Sequence, residues 1–390
     1  MLETPPPQLV HQLQPIAEHF VHQGRITGMK SFGNGNINDT FLVTLDDTEQ
    51  TRFVLQKINT QVFHNPQGIM QNMWLLTEHI YYKLQENPLD RRWEVPRVIL
   101  TQDRKDHLDL GDGSYWRAIS YIENSESFDI LATAHQSAEV GYALGTFHHL
   151  IADLPPDRLV DTLEGFHITP NYLAQYQRIQ AQTSVKITPD VQFCFDFVRD
   201  RAGSCDVLEQ AKQSGKLPLR LMHGDPKVNN VMFDCDTQRA VTMVDLDTAK
   251  PGLIHYDIGD CLRSGCNPLG EETQDWQAVY FDLDRCQSLL TGYLQVAKAF
   301  LTDSDYDYLF TAIRLISFEL GLRFFTDHLA GNVYFKTKYP DHNLARALVQ
   351  FQLTASIEAQ EKALNQLIAD CRWLPSLFCP LPRKIPPASP

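Results

Sequence analysis

The sequence predicts an α+β chain of two lobes: a small antiparallel sheet over residues 1–122, a mostly helical part over 123–373, and a proline-rich tail over 374–390. Three observations carry that expectation. Short runs of alternating apolar residues, parted by Gly, Asn and Asp, fill the first third of the chain. From Ser137 onward the apolar positions Val140, Leu144, Phe147, Leu150 and Ile151 recur with helical spacing. Between the helical stretches, one segment from Leu221 to Asp247 carries two short apolar runs around the turn Asp234-Cys235-Asp236-Thr237, the pattern of a β-hairpin.

In order, residues 1–24 read as a helix through Leu9, Leu13, Ile16 and Phe20, interrupted by Pro15. Strands follow at 25–32, 40–45 and 52–57, then a helix at 67–84 and strands at 94–101 and 115–122 around a polar turn. Five strands and one helix make a small sheet lobe. The segment Ser120-Tyr121-Ile122-Glu123-Asn124 reads as the link to the second lobe, whose helices are expected at 137–154, 273–300, 305–329 and 343–370. Prolines crowd the stretch after Leu374 and mark it as a loosely held extension.

Composition narrows the partners. With 48 acidic against 34 basic residues, the net charge of -14 argues against a nucleic acid and an anionic membrane. No uninterrupted apolar stretch of about 18 residues spans a bilayer, so the chain reads as soluble and cytoplasmic. The 8 cysteines include no C-x-x-C pair, which suits reduced thiols better than disulfides or zinc.

The chemistry concentrates in H-G-D-P-K-V-N-N, residues 223–230, where Asp225 and Asn230 have the spacing of the H-R-D-x-x-x-x-N catalytic loop of kinases. If Phe233 pairs with Thr242 and Asp234 with Val241, antiparallel register sets Asn230 opposite Asp245. An Asn and an Asp converging there, with Asp225 just upstream, suit magnesium and phosphoryl transfer. Upstream, G-N-G-N-I-N-D lies between two strands, so Gly33, Gly35, Asn36 and Asn38 are candidates to cover a nucleotide: glycine lets backbone approach phosphates, and Asn tolerates left-handed geometry. Lys57 ends a run like the V-A-I-K strand that offers lysine to phosphates. Glu78 is the acid nearest to hand for orienting it. Tyr121 and Glu123 lie on the link where a nucleoside would bind, with Glu123 a candidate for ribose. Asp247 reads as a second metal ligand or as a cap on the hairpin. Arg263, Arg323 and Tyr334 are candidates to meet acceptor oxygens. His167, in a loop bordering that pocket, receives no role. Only eleven residues separate Asp245 from Asp257, too few for a peptide-docking activation segment.

These motifs, with V-D-L-D-T-A-K-P-G-L-I-H-Y-D-I-G-D and R-F-F-T-D-H-L-A-G-N-V-Y-F-K, resemble the aminoglycoside phosphotransferase and choline kinase superfamily, and within it the N-acetylhexosamine 1-kinases. The resemblance implies a protein-kinase-like fold and ATP with Mg2+ as cofactors. It implies Asp225 as base, Asn230 and Asp245 as magnesium ligands, Lys57 and the glycine loop on ATP, Lys227 near the γ-phosphate, and Asp257 bracing the catalytic loop. Asn36 stands where histidine is expected in the sugar kinases. The implied acceptor is a small molecule, a hexose or N-acetylhexosamine. Choline, an amino alcohol or an aminoglycoside would use the same machinery, and a non-catalytic nucleotide-binding scaffold is the alternative of another class.

Overall fold

The computed structural model describes residues 7–33, 37–47 and 51–373. The chain divides into two compact units. One holds the chain up to Ser125 together with Pro156–Phe166 and Val244–Pro251; the other holds Glu126–Pro155, His167–Met243 and the chain from Gly252 on. The two inserted segments, read from sequence as part of the helical lobe, therefore belong to the sheet unit, and Asp245 travels with them. The tail at 374–390 lies outside the described residues.

In the first unit, helix α1 (Pro7–Glu18) precedes strands β1 (Ile26–Ser31), β2 (Asp39–Leu45) and β3 (Arg52–Ile58). Helix α2 (Pro66–Glu86) is followed by β4 (Val98–Ile99), β5 (Leu108–Asp109) and β6 (Tyr115–Ser120). The sheet order is β1-β2-β3-β6-β4, with β5 on β6, and the pairings are antiparallel. Alternation sorts its two faces. Phe41, Val43, Phe53, Leu55, Trp116 and Ala118 share a core with Leu13, Ala17 and Phe20. On the other face the register aligns Thr40 with Gln56 and Gln56 with Arg117. The strand expected at 94–101 shrinks to two residues because Pro96 offers no N–H to a ladder. The expected polar turn contains β5 instead. Asn65 starts α2 by accepting the Gly68 N–H at 2.9 Å, with Pro66 in the first turn.

The second unit contains α3 (Ala134–Ile151), α4 (Thr169–Gln180), α5 (Pro189–Arg201), α6 (Val207–Gln213), α7 (Ile254–Gly265), α8 (Leu283–Ala297), α9 (Asp303–Asp307), α10 (Leu309–Leu329), α11 (His342–Ala359) and α12 (Glu361–Arg372). Helices α3 and α8 touch backbone to backbone: a Cβ at Gly141 would lie 1.9 Å from the Leu289 carbonyl oxygen, and one at Gly292 the same distance from that of Ala138. Apolar nearly all round, α10 runs through a core of Phe197, Phe318, Phe325 and Phe351. The helix expected from 273 begins only at Leu283, where Asp282 accepts the N–H groups of Asp284 and Arg285. That expected over 343–370 breaks at Gln360, whose amide donates to the Phe281 carbonyl.

The hairpin between the helices pairs Val231–Asp234 with Ala240–Met243. Its register is one residue from the expectation: Met232 faces Thr242 and Val231 faces Met243, because an irregularity between Ala240 and Thr242 absorbs Val241. No helix among the described residues is long and apolar enough to cross a membrane.

Candidate active site

In the second unit, Asp225 is half-buried and two side chains close on it. Lys227 Nζ donates to Asp225 Oδ2 at 2.5 Å, and Asn230 Nδ2 donates to the Asp225 carbonyl at 2.7 Å and to Oδ2 at 3.3 Å. A 3-10 turn over Val228–Asn230 makes this reach possible. With its amide nitrogen engaged, Asn230 retains one kind of atom suited to a cation, its carbonyl oxygen.

The loop leading into Asp225 is held by buried carboxylate–histidine pairs. Asp257, on the first turn of α7, accepts the N–H groups of His223 at 2.6 Å and Gly224 at 2.8 Å. His148 Nε2 bonds the same carboxylate at 2.8 Å. Burial alone would raise this carboxyl, yet the bond and charge of His148 and the amides hold it below its usual pKa. From the opposite direction His167 Nε2 donates to the Gly224 carbonyl at 2.9 Å, while its Nδ1 lies 2.9 Å from Glu319. His148, His167 and Glu319 sit in no motif and at no telling spacing.

In the first unit, Lys57 lies in β3 between register partners Asp39 and Trp116, its Nζ 6.0 Å from the Trp116 ring. Glu78 does not serve it: Arg97 binds the Glu78 carboxylate through Nε at 2.9 Å and Nη2 at 2.8 Å, and stacks on Tyr81 at 3.9 Å. Glu123 is likewise engaged, its carboxylate paired with Arg52, whose guanidinium also covers the Tyr121 ring at 4.7 Å. Gly33 takes a left-handed φ of +76°, with nothing within 4 Å of where a Cβ would sit. Gly35 and Asn36 lie outside the described residues. Asn38 is a structural link: its amide donates to Asp247 at 2.7 Å and accepts the Asn59 N–H at 3.0 Å.

Asp247 is 2% exposed and lies 2.6 Å from Arg117 Nη1. Arg117 in turn donates to Gln56 Oε1 at 3.0 and 2.7 Å, and Gln56 to Thr40 at 3.1 Å. This polar ladder crosses three strands and ends on the turn over Leu246–Thr248, which Asp245 opens in left-handed geometry with φ 66°. Asp tolerates that conformation better than most residues, and its anchored neighbours hold it there. Asp245 is exposed while Leu246 and Asp247 are buried.

The acceptor candidates divide. Arg263 is buried, with Nε on Asp260 at 2.8 Å and Nη1 on Glu271 at 3.2 Å, so it is an internal ion-pair residue rather than an open contact. Arg323 lies over three rings, at 5.0 Å from Tyr172, 6.0 Å from Tyr334 and 5.5 Å from Phe335. Burial works against its charge, but Tyr172, Tyr334, Glu319 and Asp225 raise its pKa further. Tyr334 is 45% exposed, on a loop whose amides at Val333, Tyr334 and Phe335 donate to Asp327 at 2.9, 2.8 and 2.9 Å.

No group of three or more His, Cys, Asp or Glu side chains gathers around a metal position among the described residues. Asn230 in the second unit and Asp245 in the first each carry an oxygen of the hard kind that magnesium takes.

Residues 28–289 match the model of the phosphotransferase enzyme family. The fold is shared with solved structures of low identity. A microcompartment-associated aminopropanol kinase aligns with a TM-score of 0.59 at 17% identity, over 91% of this chain and 98% of its own. The choline kinase of Cryptosporidium parvum Iowa II gives 0.57 at 14%, over 92% and 97%. A spectinomycin phosphotransferase in complex with ADP and spectinomycin gives 0.53 at 13%, over 91% and 98%.

Proposed function

We propose, from the premise that this chain belongs to the phosphotransferase enzyme family, that it transfers the γ-phosphoryl group of ATP to the anomeric hydroxyl of a hexose, best an N-acetylhexosamine. Membership makes it a small-molecule phosphotransferase with a hydroxyl acceptor. ADP in the spectinomycin enzyme of the same fold supports a nucleotide donor.

Asp225 is the proposed base. Lys227 and Asn230 both donate to its Oδ2, leaving Oδ1 to take the acceptor proton as the hydroxyl attacks. Phosphoryl transfer otherwise asks for positioning and charge neutralisation. Lys227 supplies positive charge next to the base, and Lys57 supplies it to the nucleotide. The Asn230 carbonyl and the Asp245 carboxylate would hold magnesium, which when bound neutralises phosphate charge.

The observation that carries the acceptor class is the cage around Arg323. Three aromatic faces of the kind that bind a quaternary ammonium already surround the protein's own guanidinium. A fixed cation whose charge couples to the proposed base repels choline and aminoglycosides and donates well to sugar oxygens. The net charge of -14 favours cationic acceptors only diffusely. ADP release with ATP and magnesium across hexoses, amino alcohols and aminoglycosides tests the reading. Turnover on neutral sugars supports it; turnover confined to the cationic acceptors contradicts it, and tight ATP binding with no turnover favours a scaffold.

A further inference from the structure

His167 is a buried residue with positive φ, at 62°, a conformation histidine seldom takes without being held. What holds it is specific. Its Nδ1 faces Glu319 Oε1 and its Nε2 faces the Gly224 carbonyl, both at 2.9 Å. The other Glu319 oxygen accepts the Thr169 hydroxyl at 2.6 Å, and the ring stacks on Tyr256 with centroids 5.4 Å apart. With a carboxylate facing one ring nitrogen and a carbonyl facing the other, both partners accept, and only the imidazolium has two N–H donors to offer them.

Gly224 is consequently gripped from both directions: its N–H by Asp257 and its C=O by His167. We propose that His167 is a positioning residue for phosphoryl transfer, an imidazolium paired with Glu319 that fixes the Gly224–Asp225 peptide and so aims the Asp225 carboxylate. The proposal rests on Asp225 as the base.

The groups facing the ring favour this state. Burial opposes a charged ring, but the Glu319 carboxylate, Asp260 of α7 and the Gly224 carbonyl together raise its pKa above the ordinary value. The phenol of Tyr256 adds no competing cation. On deprotonation the proton shared with Glu319 is the better held, since a carboxylate is the stronger acceptor. The neutral ring then turns a lone pair toward the Gly224 carbonyl, and the grip on the loop is lost while the ring stays in place.

Two measurements test this. Long-range 1H–15N correlation of the histidine side chains, with His167 assigned by difference from His167→Gln, should show both ring nitrogens protonated at neutral pH. That readout needs no substrate, so it stands whether or not Asp225 is the base or a sugar the acceptor. Kinetically, His167→Leu should lower kcat by roughly 10²-fold, the scale of a misplacement of about 1 Å, with KM little changed. His167→Gln, which reaches Gly224 with a neutral amide donor, should restore most of that loss and lack the fall in kcat that the wild type shows as pH rises through the imidazolium pKa. A neutral His167, or a His167→Gln variant that keeps the wild-type alkaline fall, would overturn the proposal; so would a folded His167→Leu with wild-type kcat. If His167→Leu does not fold, the spectrum and the Gln profile decide alone.

Discussion

Arg117 Nη1 lies 2.6 Å from Asp247 Oδ1, and each side chain is 1% exposed. Removing one member of a buried pair leaves the other charge without compensation. Arg117→Met should therefore lower stability by roughly 3–5 kcal/mol, read from guanidinium unfolding, and Asp247→Leu in the same chain should recover much of it. A loss below about 1 kcal/mol would mean that Asp247 is satisfied some other way.

Asp245 stands two residues before that anchor, and its exposed carboxylate is the proposed magnesium ligand. Asp245→Asn suits the test better than alanine, because Asn also accepts φ near +66° and only the charge is lost. Titration of ATP with and without magnesium should show the magnesium-dependent gain reduced at least about 10- to 100-fold, since even outer-shell supports are worth that much. An unchanged gain would move the ligand elsewhere.

Arg323 should matter to the acceptor and not to the nucleotide. Arg323→Leu removes a charged donor worth about 1.5–3 kcal/mol. The KM for sugar should rise roughly tenfold or more, with the KM for ATP unaltered, and choline should become a relatively better acceptor once the rings are vacated. Equal effects on both substrates would assign Arg323 a folding role.

Two histidines give stability opposite slopes with pH. Burial pushes His255 down to about 4 from 6.5, so the unfolded chain binds the extra proton and stability falls as pH drops from about 6.5 to 4, by roughly 3 kcal/mol in all. His167, raised by Glu319, contributes stability that is complete below about 6.5 and is lost as pH rises through its folded value. Glu272, lowered to about 2 despite partial burial by hydrogen bonds from Lys338 and Arg346, extends the acid loss below pH 4.5. Unfolding midpoints from pH 3 to 9 check this: His255→Gln should flatten the decline between about 6.5 and 4, and His167→Gln should flatten the alkaline side. Identical slopes in the variants would assign the titration to other groups.

What the sequence disclosed and what it hid follow from the range of the interactions. Asp225, Lys227 and Asn230 are joined by hydrogen bonds spanning five residues or fewer, and spacing alone brought them forward. The first three strands were legible because Gly-Asn and Asp-Asp turns sit between alternating runs, whereas the place of β6 between β3 and β4 rests on pairings far apart in the chain. The partner of Glu78 was not legible because Arg97 lies 19 residues away, directly after Pro96 and ahead of the short β4. The hairpin register slipped where Val241 is absorbed, and no sequence pattern marks an irregularity of that kind. His167 stayed hidden because its partner Glu319 is 152 residues distant, and a single histidine in a loop carries no periodicity.

The claim that the acceptor is the anomeric hydroxyl of a hexose is most directly tested by phosphorus NMR of the product formed from ATP and N-acetylglucosamine or N-acetylgalactosamine. The expected product carries a phosphate coupled to the C1 proton and lost under mild acid, and its formation should slow by about 10²- to 10⁴-fold with Asp225→Asn while ATP still binds. An acid-stable phosphate on an ordinary alcohol, or product formed only from choline or aminoglycosides, would contradict it.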